Sequence, residues 1–202
     1  MISRSTNLNT LHGEFKFNYH EFACGEVVVS LIKGDITKGN VLLRIHSSCI
    51  FGESFFATDC DCSAQLFEAM KEINKEGKGV IVYLFQEGRG IGLKNKVEAI
   101  NLQYSKGIDT VEAFEHLEFP LDNRSYKYAI DSLKDLSISK KLRLMTNNPR
   151  KRNALENAGF KIVEEKKLSY SVSLEAYNYL KTKNEKLSHN IDFDMLKINL
   201  EQ

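Results

Sequence analysis

The spacing of apolar residues predicts a chain that alternates strands with helices. Two β-rich stretches, residues 27–32 and 41–45, are separated by a glycine-containing segment, and we expect them to pair as a hairpin. From residue 63, apolar side chains recur every three or four positions until Gly77, which is typical of an amphipathic helix with a glycine stop. Residues 80–85 are an unbroken apolar run and predict a buried strand.

The second half of the chain repeats the order of strand, polar turn and helix. A helix is predicted over residues 93–104, directly after a glycine-rich turn, and another over 126–136. A short strand over 142–145 is followed by a helix over 150–157. Residues 177–202 are charged and contain no glycine, so we expect a helical tail that ends in a disordered segment.

Length and composition predict a single globular unit, and the alternation of strands and helices along the chain predicts the α/β class. The chain has 202 residues, of which 42% are hydrophobic and 27% are charged, close to the average for soluble domains. We therefore expect one domain over residues 1–190, built on a mixed sheet with flanking helices, and a polar C-terminal tail over residues 191–202.

The charge balance and the apolar runs exclude several classes of protein. The 28 Lys and Arg residues against 27 Asp and Glu give a net charge of +1, which does not favour binding to a nucleic-acid backbone. No apolar run is long enough to span a membrane. The first ten residues resemble neither a secretory signal nor a transit peptide, so we expect a cytoplasmic protein without nucleic-acid or membrane partners.

Three of the four cysteines are close together and form a candidate metal site. Cys49, Cys60 and Cys62 lie within fourteen residues, and soft thiolate ligands at this spacing suit zinc. An open site with three protein ligands would be catalytic, whereas a fourth ligand from Cys24 or His46 would make it structural. Cys24 stands alone, and we expect it to be a small buried apolar residue.

Three further segments are candidates for binding an anionic ligand. Residues 86–96 place an acidic residue, an arginine and three glycines after the buried strand, although the spacing is that of neither a dinucleotide fingerprint nor a P-loop. Residues 146–152 join a strand to a helix and carry three cations, where free backbone N–H groups favour a phosphate. Asp122 and Arg124 stand two residues apart. Each segment also has a simpler explanation. Residues 86–96 are consistent with an ordinary glycine turn, residues 146–152 with a solvated basic turn, and Asp122 with Arg124 with an exposed ion pair.

The order of these segments resembles that of the GTP cyclohydrolase II family, whose members open the guanine ring of GTP at the start of riboflavin synthesis. The resemblance spans most of the chain. It is carried by LysGlyAspIle (33–36), ArgIleHisSerSerCys (44–49), CysAspCysSerAlaGlnLeu (60–66), GlnGluGlyArgGlyIleGlyLeu (86–93), AspThrValGluAla (109–113), AspAsnArg (122–124), ThrAsnAsnProArgLys (146–151) and TyrLeuLysThrLys (179–183).

The resemblance implies a role for individual residues of this chain. The zinc ligands of the family fall on Cys49, Cys60 and Cys62, its proton acceptor on Asp122, and the arginine that engages the α-phosphorus on Arg124. Its nucleotide contacts fall on Arg44, Ile45, His46, Ser47, Ser48, Gln65, Glu87, Gly88, Arg89, Thr110, Thr146 and Lys151.

The resemblance also implies a reaction and its cofactors. One Zn²⁺ per chain would activate the water that opens the imidazole ring of GTP, and Mg²⁺ would neutralise the triphosphate. Formate and pyrophosphate would leave, giving a diaminopyrimidine ribosyl phosphate. The family further implies a homodimer.

Several residues depart from the family pattern near the implied site. Ile100 stands where the family has a catalytic tyrosine, and isoleucine cannot transfer a proton. Tyr104 lies one helical turn further on and is a candidate replacement. Further departures are Ser48 for glutamate, Asp59 and Phe85 for arginine, Phe114 for asparagine and Glu118 for glycine.

These departures leave three hypotheses about function. In the first, the chain is a GTP hydrolase that completes the reaction or stops at a formamidopyrimidine nucleotide because of Ile100. In the second, it is a divergent paralogue that hydrolyses another purine nucleotide. In the third, it is an inactive nucleotide-binding paralogue stabilised by zinc.

Overall fold

The computed structural model describes residues 1–199 and shows the expected mixed α/β fold. Nine strands are present: β1 (Ile2–Thr10), β2 (Gly13–Glu21), β3 (Val27–Lys33), β4 (Asn40–Ser47), β5 (Gly79–Leu84), β6 (Lys141–Leu144), β7 (Lys161–Glu165), β8 (Tyr170–Val172) and β9 (Leu196–Ile198). Seven α-helices accompany them: α1 (Ile50–Ser54), α2 (Cys62–Glu76), α3 (Gly92–Lys106), α4 (Thr110–His116), α5 (Lys127–Asp135), α6 (Pro149–Asn157) and α7 (Leu174–Lys186).

Strands β1 to β7 form one sheet in the order β1-β2-β3-β5-β4-β6-β7. The pairs from β1 to β5 are antiparallel, whereas β5, β4, β6 and β7 run parallel to one another. The expected hairpin between residues 27–32 and 41–45 is therefore wrong, because β5 lies between β3 and β4. Strand β5 is apolar on both faces and buried at five of its six positions, so it occupies the centre of the sheet.

The hydrophobic core lies on both faces of this sheet. On one face, Leu43 and Val82 pack with residues of α5 and α6. On the other face, Leu42 and Ile81 pack against Met70 and Ile73 of α2. Successive residues of β4 and β5 thus point to opposite faces, as a central strand requires. Helices cover both faces, and the predicted fold class is confirmed.

The predicted helices are confirmed with small changes in their ends. Helix α2 ends at Gly77, which adopts a left-handed conformation with φ of 73°. Helix α3 covers the predicted stretch 93–104, and α5 is one residue shorter at each end than the predicted stretch 126–136. Helix α6 begins at Pro149, and the side chain of Asn148 accepts a hydrogen bond from the Arg150 backbone N–H. The predicted strand over 80–85 ends one residue early, because Phe85 has left the sheet and is 60% exposed.

The two ends of the chain contain strands that the apolar pattern did not predict. At the N-terminus, β1 and β2 form a regular antiparallel hairpin, and β1 is exposed over most of its length. At the C-terminus, the expected helix over residues 177–202 is wrong beyond Lys186, where α7 ends. Within the expected tail over 191–202, Ile191 is buried and β9 pairs with β8. Residues 200–202 lie outside the described residues.

Candidate functional site

A cavity of about 510 Å³ opens where the parallel strands end. The end of β4 and the residue after it contribute residues 44 and 46–48, the loop after β5 contributes 86–89, and the turn after β6 contributes 146–148. The carboxyl ends of parallel strands are the usual place for a ligand in an open α/β sheet. The volume also lies within the range of small-molecule sites.

Three cysteines from two segments meet at this cavity. The Cys49, Cys60 and Cys62 sulfur atoms lie within 4.8 Å of one another, and Cys49 Sγ is 3.7 Å from Cys60 Sγ. Tetrahedral zinc with bonds of about 2.3 Å would separate two sulfur ligands by roughly 3.8 Å. The three side chains therefore fit a zinc ion. A Cβ atom at Gly52 would lie 2.8 Å from Cys60 Sγ, so the close approach requires glycine there.

Neither candidate for a fourth ligand joins this cluster. Cys24 is exposed, not buried as expected, and its sulfur lies 3.0 Å from the Tyr128 hydroxyl. His46 Nδ1 accepts a hydrogen bond from Arg44 Nε, so its Nε2–H donates to Glu53 at 3.0 Å. Within residues 1–199, the three cysteines alone form a group with metal-ligand geometry. The arrangement favours the open form of the site.

Two carboxylates hold the backbone around the first cysteine. Glu53 Oε1 accepts a hydrogen bond from the Cys49 backbone N–H at 2.8 Å, and its Oε2 accepts one from the Tyr83 hydroxyl at 2.7 Å. Glu87 Oε2 accepts a hydrogen bond from the Ile50 backbone N–H at 2.8 Å. These bonds satisfy free N–H groups at the start of α1 and so orient the Cys49 side chain.

A buried polar network anchors the other two cysteines. Asp61 lies between them, is 2% exposed, and accepts hydrogen bonds from Gln65, from the Tyr170 hydroxyl at 2.8 Å and from Lys183 Nζ at 3.3 Å. Gln65 in turn accepts a hydrogen bond from the Arg44 guanidinium. The network links β4, α2, β8 and α7 around the loop that carries Cys60 and Cys62.

Lys151 provides a buried positive charge in the cavity wall. It is 7% exposed, and its Nζ donates to the Ile45 backbone carbonyl at 2.8 Å. Among the ion pairs of the described residues, none involves Lys151. Burial, followed by the charges of Arg124 and Arg44, holds the pKa of Lys151 well below its usual value. A buried ammonium without a carboxylate partner is unfavourable unless an anionic ligand compensates it.

Further cations converge near His189. Burial lowers the pKa of His189 to about 3, and the charges of Lys183, Arg124, Lys151 and Arg89 add to that effect. His189 also borders the cavity. A neutral imidazole surrounded by cations indicates a region of positive potential, which favours a phosphate group.

The Arg124 and Asp122 side chains form a part-buried ion pair, not the exposed pair that spacing alone allows. Arg124 donates from Nε and Nη2 to the Asp122 carboxylate at 2.9 and 2.7 Å, and Arg150 Nη1 is 2.8 Å from it. Burial raises the pKa of Asp122, but hydrogen bonds and charge from these arginines outweigh burial and bring the pKa to about 2. Arg124 borders the cavity, while Asp122 lies behind it.

Three polar atoms bordering the cavity are buried without a hydrogen-bond partner. They are Ser47 Oγ, Gln86 Oε1 and Arg89 Nη1. Arg89 also has a φ of 56°, an uncommon conformation for a residue with a side chain, and Arg89 Nη2 donates to the Tyr179 hydroxyl at 3.1 Å. Unpaired polar atoms and unusual backbone geometry are typical of a binding site.

The cavity collects most of the residues that the sequence implied. Its wall includes Arg44, His46, Ser47, Ser48, Cys49, Cys60, Cys62, Gln65, Glu87, Gly88, Arg89, Thr110, Arg124, Thr146 and Lys151. Ile45 is the exception among the implied nucleotide contacts, because its side chain is fully buried in the core and only its carbonyl supports Lys151.

Comparisons with known proteins show the family to which the chain belongs. The sequence model of the family described as GTP cyclohydrolase II matches residues 2–167. The chain belongs to this family. It is 46% identical over 186 residues to the GTP cyclohydrolase-2 of Neisseria meningitidis, covering 92% of this chain and 93% of the relative. It is also 46% identical over 188 residues to the riboflavin biosynthesis protein RibBA of Chlorobium phaeovibrioides.

The matches differ in how much of each relative they cover. The Chlorobium match includes 92% of this chain but 45% of the relative, so the chain spans about half the length of that protein. A solved structure, RibBX of A. baumannii, described as a two-domain 3,4-dihydroxy-2-butanone 4-phosphate synthase, is 17% identical with a TM-score of 0.44. It covers 81% of this chain and 38% of the other, and this likeness supports no inference about function.

Several cavity residues were missed by sequence reasoning. Lys96 ends the candidate segment 86–96, but its contact with Cys49 was not expected, and the cavity residues Tyr179, Lys183 and His189 lie beyond the span that the family model matches. Tyr179 and Lys183 belong to a motif that resembles the family, but no motif of metal ligands or phosphate binding marked them as site residues. Only their contacts with distant segments identify them.

Most of the residues that depart from the family pattern lie at the cavity. Ser48, Asp59, Ile100 and Phe114 border the cavity. Tyr104 borders it too, but its side chain is 76% exposed.

Proposed function

We propose that this chain hydrolyses GTP, opening the imidazole ring of guanine and releasing formate and pyrophosphate to give a diaminopyrimidine ribosyl phosphate. Membership of the GTP cyclohydrolase II family supports this reaction. The Chlorobium relative is named a riboflavin biosynthesis protein, and we assign this chain to the same pathway.

The observation that supports this function most directly is that Lys151 and the three-cysteine cluster border the same cavity. A buried ammonium without a carboxylate partner suits a phosphate group, and an open thiolate cluster suits hydrolysis of a ring. A nucleotide has both features in one molecule. A triphosphate would compensate the charge on Lys151 as well as the charges on Arg89 and Arg124.

In this proposal, Cys49, Cys60 and Cys62 hold one zinc ion. When bound there, zinc supplies a Lewis acid and lowers the pKa of water that it contacts. Glu53 and the Asp61 network keep the thiolates in place through the hydrogen bonds described above. Mg²⁺ is proposed to accompany the triphosphate.

Arg124 and Asp122 are proposed as catalytic residues that work in sequence. Arg124 borders the cavity and would turn toward the α-phosphorus as pyrophosphate leaves. That movement removes the main hydrogen-bond donor from Asp122, whose pKa is about 2 while the pair is intact. Asp122 would then become a stronger base and accept a proton.

Ile100 favours a second candidate in which the reaction stops early. It borders the cavity from α3 where the family has a tyrosine, and it offers no group for proton transfer. The product would then be a formamidopyrimidine nucleotide that keeps the formyl carbon. Tyr104 borders the same cavity and is the proposed substitute if formate is released.

A test of the proposal is to incubate the zinc-loaded protein with GTP and Mg²⁺ and to identify the products by mass spectrometry. Formate and pyrophosphate are assayed in parallel. We expect GTP to be consumed with one pyrophosphate released for each GTP, and formate yield then separates the two candidates. If folded, zinc-bound protein consumes no GTP, the proposal fails, and other purine nucleotides become the next substrates to test.

The oligomeric state is proposed from the family resemblance alone. We propose a homodimer in the cytoplasm. Among residues 1–199, no helix has the length and apolar character needed to cross a membrane.

A further inference from the structure

Lys96 reaches from α3 to the cysteine cluster. Its Nζ lies 3.3 Å from Cys49 Sγ, within hydrogen-bonding distance of sulfur, and its side chain is 16% exposed. No nucleotide contact or metal ligand was assigned to this residue by its sequence position. Its ammonium group is therefore an additional charge beside the proposed metal site.

The surrounding residues hold Lys96 in this position. Lys96 Nζ donates to Glu87 Oε1 at 2.7 Å and lies 4.3 Å from the centre of the Phe51 ring. Gly88 allows the approach, because a Cβ atom there would lie 2.9 Å from Lys96 Cβ. An ammonium fixed by a carboxylate, a thiol sulfur and an aromatic ring is well ordered, and its low exposure limits screening by water.

Beside a three-thiolate metal site, the Lys96 ammonium would affect how strong a Lewis acid the metal is. Three thiolates exceed the charge of a zinc ion by one negative charge, and this excess weakens the metal as a Lewis acid. A cation that donates a hydrogen bond to one sulfur withdraws electron density from that sulfur and offsets part of the excess negative charge, although Glu87 shares the same ammonium. Groups that contact metal ligands in this way tune both affinity and reactivity.

We infer that Lys96 is a positioning residue that acts through Cys49, donating a hydrogen bond to its thiolate and thereby strengthening the bound metal as a Lewis acid. The inference rests on the proposed function, because it requires a metal at the three cysteines. Glu87 contributes by holding the ammonium against the sulfur. The competing explanation is that Lys96 only pairs with Glu87 and stabilises the loop.

Cobalt(II) substitution distinguishes these two explanations by spectroscopy. Co²⁺ bound to thiolates has a sulfur-to-metal charge-transfer band in the near ultraviolet, whose energy rises when a nearby cation stabilises the sulfur electrons. The Lys96→Met variant keeps the length of the side chain and removes its charge, and Lys96→Arg keeps the charge. Lys94→Met is the matched control, because Lys94 is an exposed lysine of the same helix.

We expect the band to move to longer wavelength in Lys96→Met and to stay near its wild-type position in Lys96→Arg and Lys94→Met. Turnover of GTP by the zinc form of Lys96→Met should fall by roughly 10- to 100-fold. If Lys96→Met does not fold, Lys96→Gln replaces it in the same comparison. An unchanged band in a folded, charge-removed variant overturns the inference. Failure of the wild-type protein to bind cobalt instead overturns the metal site itself, and with it the proposed function.

Discussion

The Lys183 ammonium of α7 lies 3.3 Å from the Asp61 carboxylate, which sits between two of the three clustered cysteines. The Asp61 side chain is 1% exposed and that of Lys183 is 14% exposed, so the pair is shielded from water. Burial opposes the charge on Lys183, but the negative charges of Asp61, Tyr179 and Cys62 together outweigh burial and raise its pKa. The pair thus ties α7 to the loop that carries Cys60 and Cys62.

Removing one member of this pair should destabilise the protein strongly. Lys183→Met leaves a buried carboxylate without its cation, and we expect the free energy of unfolding to fall by roughly 3–5 kcal/mol. Chemical denaturation measures the change, with the exposed Lys181→Met as control. A double variant that adds Asp61→Asn should lose less than the sum of the two single changes. Additive losses would show that the two charges are not coupled.

Lys151→Met should weaken nucleotide binding without lowering stability. The buried amine has no carboxylate partner, and burial holds its pKa well below the usual value, so losing its charge costs the free protein little. In the complex it removes a hydrogen bond to a charged phosphate, which corresponds to roughly 10- to 100-fold weaker binding. Calorimetric titration with a non-hydrolysable GTP analogue and thermal unfolding measure the two effects. The exposed Lys161→Met is the control, and unchanged affinity in Lys151→Met contradicts the proposed phosphate contact.

The stability of the protein should fall as the pH is lowered from 7.5 to 5.5, in part because of His189. Its folded-state pKa of about 3 lies below its unfolded value, so the unfolded state binds the proton more readily in this range. The contribution of His189 to stability is therefore present above the unfolded pKa and decreases as the pH falls below it. Denaturation at several pH values should show a shallower decrease for His189→Asn. The same slope in both proteins would exclude His189 as a source of the pH dependence.

Ile100→Tyr should raise the yield of formate if the missing phenol limits the reaction. The substitution places a proton-transfer group on the cavity wall, where isoleucine has none. We expect formate released per GTP consumed to increase toward one, as measured by a formate assay alongside mass spectrometry. Tyr104→Phe tests the alternative, because a loss of formate in that variant would assign the role to Tyr104. Equal product ratios in the wild type and in both variants would show that neither position controls this step.

Much of the local structure and the set of candidate site residues could be predicted from the sequence. The period of apolar residues and the stop at Gly77 predicted α2, and the cysteine spacing predicted the trio of Cys49, Cys60 and Cys62. These features depend on neighbouring residues or on a short loop, so they are readable without knowing the fold. The order of the motifs also predicted the family, which the match over residues 2–167 confirms.

The tertiary structure decided which distant segments meet. Strands β3 and β4 follow one another along the chain, yet β5 lies between them in the sheet. The apolar strand β5 buries most of its side chains at this central position, and that burial favours the observed order. The contacts of Lys96 with Cys49 and of Lys183 with Asp61 span 47 and 122 residues. A lysine has the same local pattern whether it faces water or a buried anion. Only the packing of α3 and α7 against the loops that carry the three clustered cysteines brings each charge to its partner.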